Sequence, residues 1–147
     1  MNSKTIDRHK RILEGLLEEE GVQYEELSKV EIFNLQNLWK EKFKAKTLPN
    51  SESQLWLTFS PGSFTNYKEG EDADTKYRNQ LVKEFLIWGG NSGYRCFGNK
   101  LPNLERLKRV PRDFGTVYDL YVSQKNLKWT YVYTHDDFCG PYFADAE

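Results

Sequence analysis

Val117-Tyr118-Asp119-Leu120-Tyr121-Val122, then Ser123-Gln124-Lys125-Asn126, then Leu127-Lys128-Trp129-Thr130-Tyr131-Val132-Tyr133-Thr134 read as strand, turn and strand. Both flanks are rich in β-branched and aromatic residues and alternate in polarity, the pattern of a half-buried β-hairpin. With 123–126 as a four-residue turn, Val122 faces Leu127, Leu120 faces Trp129 and Tyr118 faces Tyr131. One face, the core one, then carries Tyr118, Leu120, Val122, Leu127, Trp129, Tyr131 and Tyr133. The other is a mixed surface of Val117, Asp119, Tyr121, Lys128, Thr130, Val132 and Thr134. A three-residue turn would instead set Tyr121 against Trp129, because a slip in register reassigns the faces. Cross-strand aromatic pairs of this kind are worth about 0.2–1 kcal/mol each.

Upstream of this hairpin, Phe85-Leu86-Ile87-Trp88 is a short apolar run stopped by Gly89-Gly90. It reads as a strand buried on both faces, with continuation of a preceding helix as the alternative. Tyr94 to Phe97 is a further short strand, and Leu101-Pro102-Asn103-Leu104 opens a helical turn carrying Leu104 and Leu107. Before these, Asp72 or Asp74 can cap a helix running to Lys83, with Ala73, Tyr77 and Leu81 on one face. Gln54 to Phe59 has the content of another strand.

The N-terminal third is helical in pattern. Ser3 to Glu20 carries Ile6, Ile12, Leu13, Leu16 and Leu17 near helical spacing, and Gly21 suits the left-handed residue that ends a helix. Ser28 with Glu31 three residues later fits a capping box. Ile32, Leu35, Leu38, Trp39 and Phe43 follow as one stripe. The two helices can pack as a hairpin on the remainder or form a separable arm. The expectation is one domain over 1–147, with a helical part at 1–48 and an α+β core at 54–143. Its sheet, antiparallel or mixed and of about four strands, has the C-terminal hairpin at its centre and is packed against the N-terminal and middle helices.

The chain has 147 residues and a net charge of -1, with 9 Phe, 9 Tyr and 4 Trp. Its Leu, Ile, Val and Phe content clears the ~20% line below which disorder is expected. No apolar run approaches the roughly 18 residues of a membrane span, and Met1 to Glu20 lacks the apolar segment of a secretory leader. Cys96 and Cys139 lie far apart with no C-x-x-C, so a disulfide framework is not expected, although a single bridge stays open. A reducing cytoplasm is the simplest location. Charge is uneven, since residues 76–113 hold Lys76, Arg78, Lys83, Arg95, Lys100, Arg106, Lys108, Arg109 and Arg112 against three acidic groups. Such a stretch could meet RNA phosphates, but the overall balance is not that of a nucleic-acid binder, and a solvated face neutralised by acidic neighbours is favoured.

Chemistry concentrates at Thr134-His135-Asp136-Asp137-Phe138-Cys139-Gly140-Pro141-Tyr142-Phe143. His135, Asp136 and Asp137 could present an imidazole and carboxylates to a metal ion, but adjacent residues seldom converge on one ion and no second cluster completes a site. Cys139 with His135 as base would suit a small cysteine hydrolase, yet no oxyanion-hole motif accompanies them. No phosphate-binding loop, metalloprotease helix, nucleophile elbow or EF-hand loop occurs, and the acidic 69–74 stretch lacks EF-hand spacing. The favoured reading is therefore a binding surface of Trp129, Tyr131, Tyr133, His135, Asp136 and Asp137, since aromatic anchors are typical hot spots. A turn capped by Asp136 or Asp137, with Pro141-Tyr142-Phe143 closing the core, is the purely structural alternative.

Asp119-Leu120-Tyr121-Val122, Trp129 to Asp136 and Gly140-Pro141-Tyr142-Phe143 resemble a family of short bacterial proteins known as a domain of unknown function. Its members end in W-T-[FY]-V-x-T-H-[ED] followed by G-P-Y-F. Trp56-Leu57-Thr58-Phe59-Ser60 and Glu69-Gly70-Glu71-Asp72-Ala73 resemble its W-x-x-F-S and E-G-E-x-A segments. The resemblance covers roughly residues 54–143, with Asp136 where the family more often has Glu. It implies a cytoplasmic bacterial α+β protein and brings no activity, cofactor or catalytic residue. Sequence alone thus predicts a non-catalytic protein-interaction module, immunity-like or a regulatory accessory, with another protein as partner and no cofactor, metal or membrane. A metal-dependent or cysteine hydrolase built on His135, Asp136, Asp137 and Cys139 is the competing class.

Overall fold

In β3 (Glu84–Gly89), Phe85 and Ile87 point to one side of a sheet while Leu86 and Trp88 point to the other, and all four are buried. A strand covered on both faces is continuous in hydrophobicity rather than alternating, and β3 has this arrangement because helices lie on both sides of it. The computed structural model describes residues 3–44, 58–59, 64–89, 92–110, 119–134 and 140–146. Its helices are α1 (Ser3–Glu19), α2 (Lys29–Lys42), α3 (Glu71–Arg78) and α4 (Leu104–Leu107). The other strands are β1 (Gln23–Glu26), β2 (Tyr67–Glu69), β4 (Ser92–Phe97), β5 (Leu120–Gln124), β6 (Trp129–Tyr133) and β7 (Tyr142–Asp145). Among the described residues these strands make one antiparallel sheet in the order β1-β4-β3-β5-β6-β7-β2.

The α+β class and the near-central hairpin match the expectation, but the sheet has seven strands rather than about four. The three extra strands are β1, β2 and β7. Two of them, Gln-Tyr-Glu-Glu and Tyr-Lys-Glu, are short and charged, and they lie at the sheet's edges, where charged residues discourage further pairing. Of the Gln54–Phe59 strand expectation, residues 54–57 lie outside the described residues. Thr58 and Phe59 sit in a turn rather than a strand.

Helices α1 and α2 do not form a hairpin, because the sheet separates them. Leu13, Leu16 and Leu17 of α1 join Tyr77, Leu104, Leu107, Val122 and Tyr131 in one core. Ile32, Leu35 and Trp39 of α2 join Phe43, Phe59, Trp88, Tyr121 and Tyr142 in the other. β1 carries the chain across between them. The turn out of α1 is set by Gly21, whose φ of 73° is the left-handed conformation that glycine adopts without strain. Val22 N–H donates to Leu17 C=O and Gly21 N–H to Glu18 C=O, the Schellman pair that closes a helix C-terminus. At the start of α2 the expected capping box is present. Glu31 N–H donates to Ser28 Oγ at 3.1 Å, and Ser28 N–H donates to the Glu31 carboxylate at 2.9 Å.

The hairpin turn lies two residues beyond the expected position. Leu120 pairs with Tyr133, Val122 with Tyr131 and Ser123 with Thr130, so the four turn residues are 125–128 rather than 123–126. The Gln124 side-chain oxygen accepts from the N–H groups of Asn126 and Lys128 and closes this turn. Leu127 adopts a φ of 58° and buries its side chain on the α2 side instead of facing Val122. The displacement is even-numbered, so Leu120, Val122, Trp129 and Tyr131 still share a face. The opposite face is not a mixed surface, because Tyr121, Ser123, Thr130 and Val132 are buried beneath α2.

The middle helix also begins and ends earlier than expected. Gly70, not Asp72 or Asp74, occupies its N-cap, and the helix stops at Arg78. Leu81, expected on its apolar face, lies past its end and is 94% exposed.

Candidate functional site

Trp129 and Tyr131 are core residues, which corrects the expectation that they form part of an exposed grip. Trp129 stacks on Phe143 with centroids 5.3 Å apart, and Tyr131 is fully buried against Tyr77. The Tyr131 hydroxyl donates to Asp74 at 2.7 Å, and Lys108 Nζ donates to the other oxygen of the same carboxylate at 2.5 Å. Burial first, and the Asp74 contact second, raise the Tyr131 hydroxyl well above an ordinary phenol, so it acts as a donor and not as a base. Tyr133 is partly buried, and Lys108 Nζ stands 5.8 Å from its ring centroid. This cluster fastens α3, the end of α4 and β6 together. His135, Asp136, Asp137 and Cys139 lie outside the described residues.

Five of the nine cations of the basic segment are neutralised within the fold. Lys76 pairs with Asp145, Arg78 with Glu105, Arg95 with Glu25 and Glu31, Arg106 with Glu19 and Glu20, and Lys108 with Asp74. These five cations are spread over different elements and do not form one phosphate track. Cys96 has a free buried thiol, pushed up to about 12 by desolvation, and it is not a nucleophile. No group of three or more metal-ligating side chains occurs among the described residues.

The layer carrying α2 presents an apolar surface to a partner. Its inward face is committed to the core through Ile32, Leu35 and Trp39. Val30 and Phe33 stand on the outward face, 69% and 62% exposed, and Leu38 is 40% exposed. Val30, Asn34 and Leu38 follow at four-residue spacing and so form a row along the helix. Asn34 and Leu38 of that row line a groove of about 460 Å³ between α2 and the sheet, with Leu35 and Leu86 also among its apolar lining. The groove's charges are already engaged. Arg95 divides its guanidinium between Glu25 at 2.7 Å and Glu31 at 3.0 Å, and Lys125 holds Glu84 at 2.8 Å. The Ser28 amide first, and Arg95 second, hold the Glu31 carboxyl below the usual carboxylate range. The groove therefore offers apolar contact inside a rim of satisfied ion pairs. Sequence reading placed Leu38 in the buried stripe and passed over Val30 and Phe33. Their signal was two large apolar residues on the face that a solvated helix reserves for polar ones.

The family model described as Domain of unknown function (DUF4275) matches residues 12–143. The chain belongs to the DUF4275 family. No curated protein and no solved structure matches it. The DUF4275 match reaches well upstream of residue 54, where the resemblance read from the sequence began. It takes in the buried leucines of α1, the capping box and the whole of α2. No helix among the described residues of this DUF4275 chain is long and apolar enough to cross a membrane.

Proposed function

We propose that the chain is a non-catalytic protein-interaction module of the bacterial cytoplasm, immunity-like or a regulatory accessory, whose partner docks on the outward face of α2. The observation that carries this reading is the exposure of Val30 and Phe33 on a helix whose opposite face is fully used by the core. Neither side chain contributes to the α2-side core. Grouped apolar exposure on one helix face is a usual mark of an interaction surface. The free thiol of Cys96 is in keeping with a reducing compartment.

Capture from the native cell tests the reading. Tagged wild-type chain is expected to retain one protein stoichiometrically. Val30→Ser and Phe33→Ser should lose that protein while keeping the wild-type melting temperature, since both side chains lie outside the core. Retention of nothing by the wild type, or equal retention by the variants, would overturn the assignment.

A further inference from the structure

Helices α1 and α4 meet on the other side of the sheet, away from α2. Between them lies a second groove, of about 330 Å³. Leu16 and Val110 are buried along it, and Ile12 stands 45% exposed beside them. Three arginines line it, against the single carboxylate of Glu19. Arg106 is engaged by Glu19 and Glu20. Arg11 and Arg109 are exposed and have no ion pair among the described residues. The groove thus joins apolar contact to two cations that no described carboxylate pairs with.

Gly15, midway along α1, gives an independent indication. A Cβ built there meets nothing within 4 Å, and its backbone is not in the left-handed region. Nothing among the described residues requires a glycine at this position, and alanine or leucine would make the helix more stable. Its bare backbone opens onto the groove. Close approach of another chain is a physical reason for omitting a side chain at such a place.

We propose that this groove binds an acidic segment of a protein partner. Two carboxylates of that segment meet Arg11 and Arg109, an apolar side chain lies on Ile12 and Leu16, and its backbone passes close to Gly15. Guanidinium groups accept phosphate as readily as carboxylate, so the remaining lining decides the class. Among the described residues no aromatic ring lines the groove for bases to stack on. An apolar floor suits a side chain. The inference shares with the proposed function the premise that the domain binds proteins, but it uses the opposite layer.

Panning the whole chain against a displayed library of short random peptides, followed by Kd measurement on the enriched peptides, tests the inference. Enriched sequences should carry acidic residues around an apolar one. Arg11→Glu with Arg109→Glu should weaken binding at least about tenfold. Gly15→Leu should weaken it similarly while raising the melting temperature by several degrees, a combination that a purely structural role would not give. Phe33→Ser should leave the peptide Kd unchanged. An unbiased set of enriched peptides would overturn the proposal, as would unchanged binding in either groove variant. Displacement of the peptide by a tighter-binding single-stranded oligonucleotide would assign the groove to nucleic acid instead. Loss of native partner capture with the peptide result intact would remove the α2 reading alone.

Discussion

At the scale of single residues, the core under α2 depends on hydroxyls as well as rings. Trp39 Nε1–H donates to Thr130 Oγ1 at 3.1 Å, Trp88 Nε1–H donates to Ser123 Oγ at 3.2 Å, and the two hydroxyls lie 2.8 Å apart. All four residues are fully buried. Thr130→Val keeps the shape and removes the acceptor, leaving the indole N–H of Trp39 without a partner in an apolar site. Such a loss costs about 1–3 kcal/mol, measurable as a lower urea midpoint. Thr130→Ser keeps the acceptor and should lose less. Gly93 shows the same tightness from the steric side. A Cβ there would fall 2.6 Å from Trp88 Cβ and 2.9 Å from Ile32 Cδ1, so β4 can pass beneath α2 only where it is bare.

At the scale of elements, legibility followed how local the determining physics is. The capping box of α2, the glycine ending α1, the helical turn of α4 and the doubly buried run of β3 are each set within a few residues, and each was readable. β1 and β2 were not. Gln-Tyr-Glu-Glu is a strand because Tyr24 pairs with Cys96 and Glu25 with Arg95, partners about seventy residues away in the chain. The turn of the hairpin was misplaced because Leu127, apolar and strand-like in composition, takes a left-handed backbone to reach the far core. Among the candidate site residues, Trp129 and Tyr131 lie in the core because α3 and α4 cover their face; the hairpin's alternation already marked that face as the core one, and reading the same rings as a binding surface went against that signal. The capping box also gives an element-scale prediction. Ser28→Ala should cost about 1 kcal/mol. Glu31 has a lowered folded pKa, so its contribution is present above the ordinary value of 4.5 and fades as pH falls through the folded value. The stability gap between wild type and Glu31→Gln should therefore be constant near neutrality and close on acidification below about pH 4.5.

For the whole molecule, the burial of thiol and phenol groups sets an alkaline limit. Desolvation raises Cys96 to about 12 and lifts Tyr77 and Tyr94 well above the usual phenol range, as it does Tyr131. Raised folded values mean that the neutral forms are favoured in the fold. Their stabilisation is complete below the ordinary values of 9.0 for the thiol and 10.0 for the phenols, and it is lost as pH rises above them. The urea midpoint should hold to about pH 9 and then fall steeply, and Cys96 should resist alkylation at about pH 8 until the chain unfolds. Strand order has a further consequence for biosynthesis. Among the described strands β2 pairs only with β7, although more than seventy residues separate them. While the chain is leaving the ribosome, an early segment must therefore wait for a late one. A nascent chain stalled before residue 142 leaves the rings of Phe59 and Tyr67 without Tyr142, and chaperones and proteases can act on it at that stage.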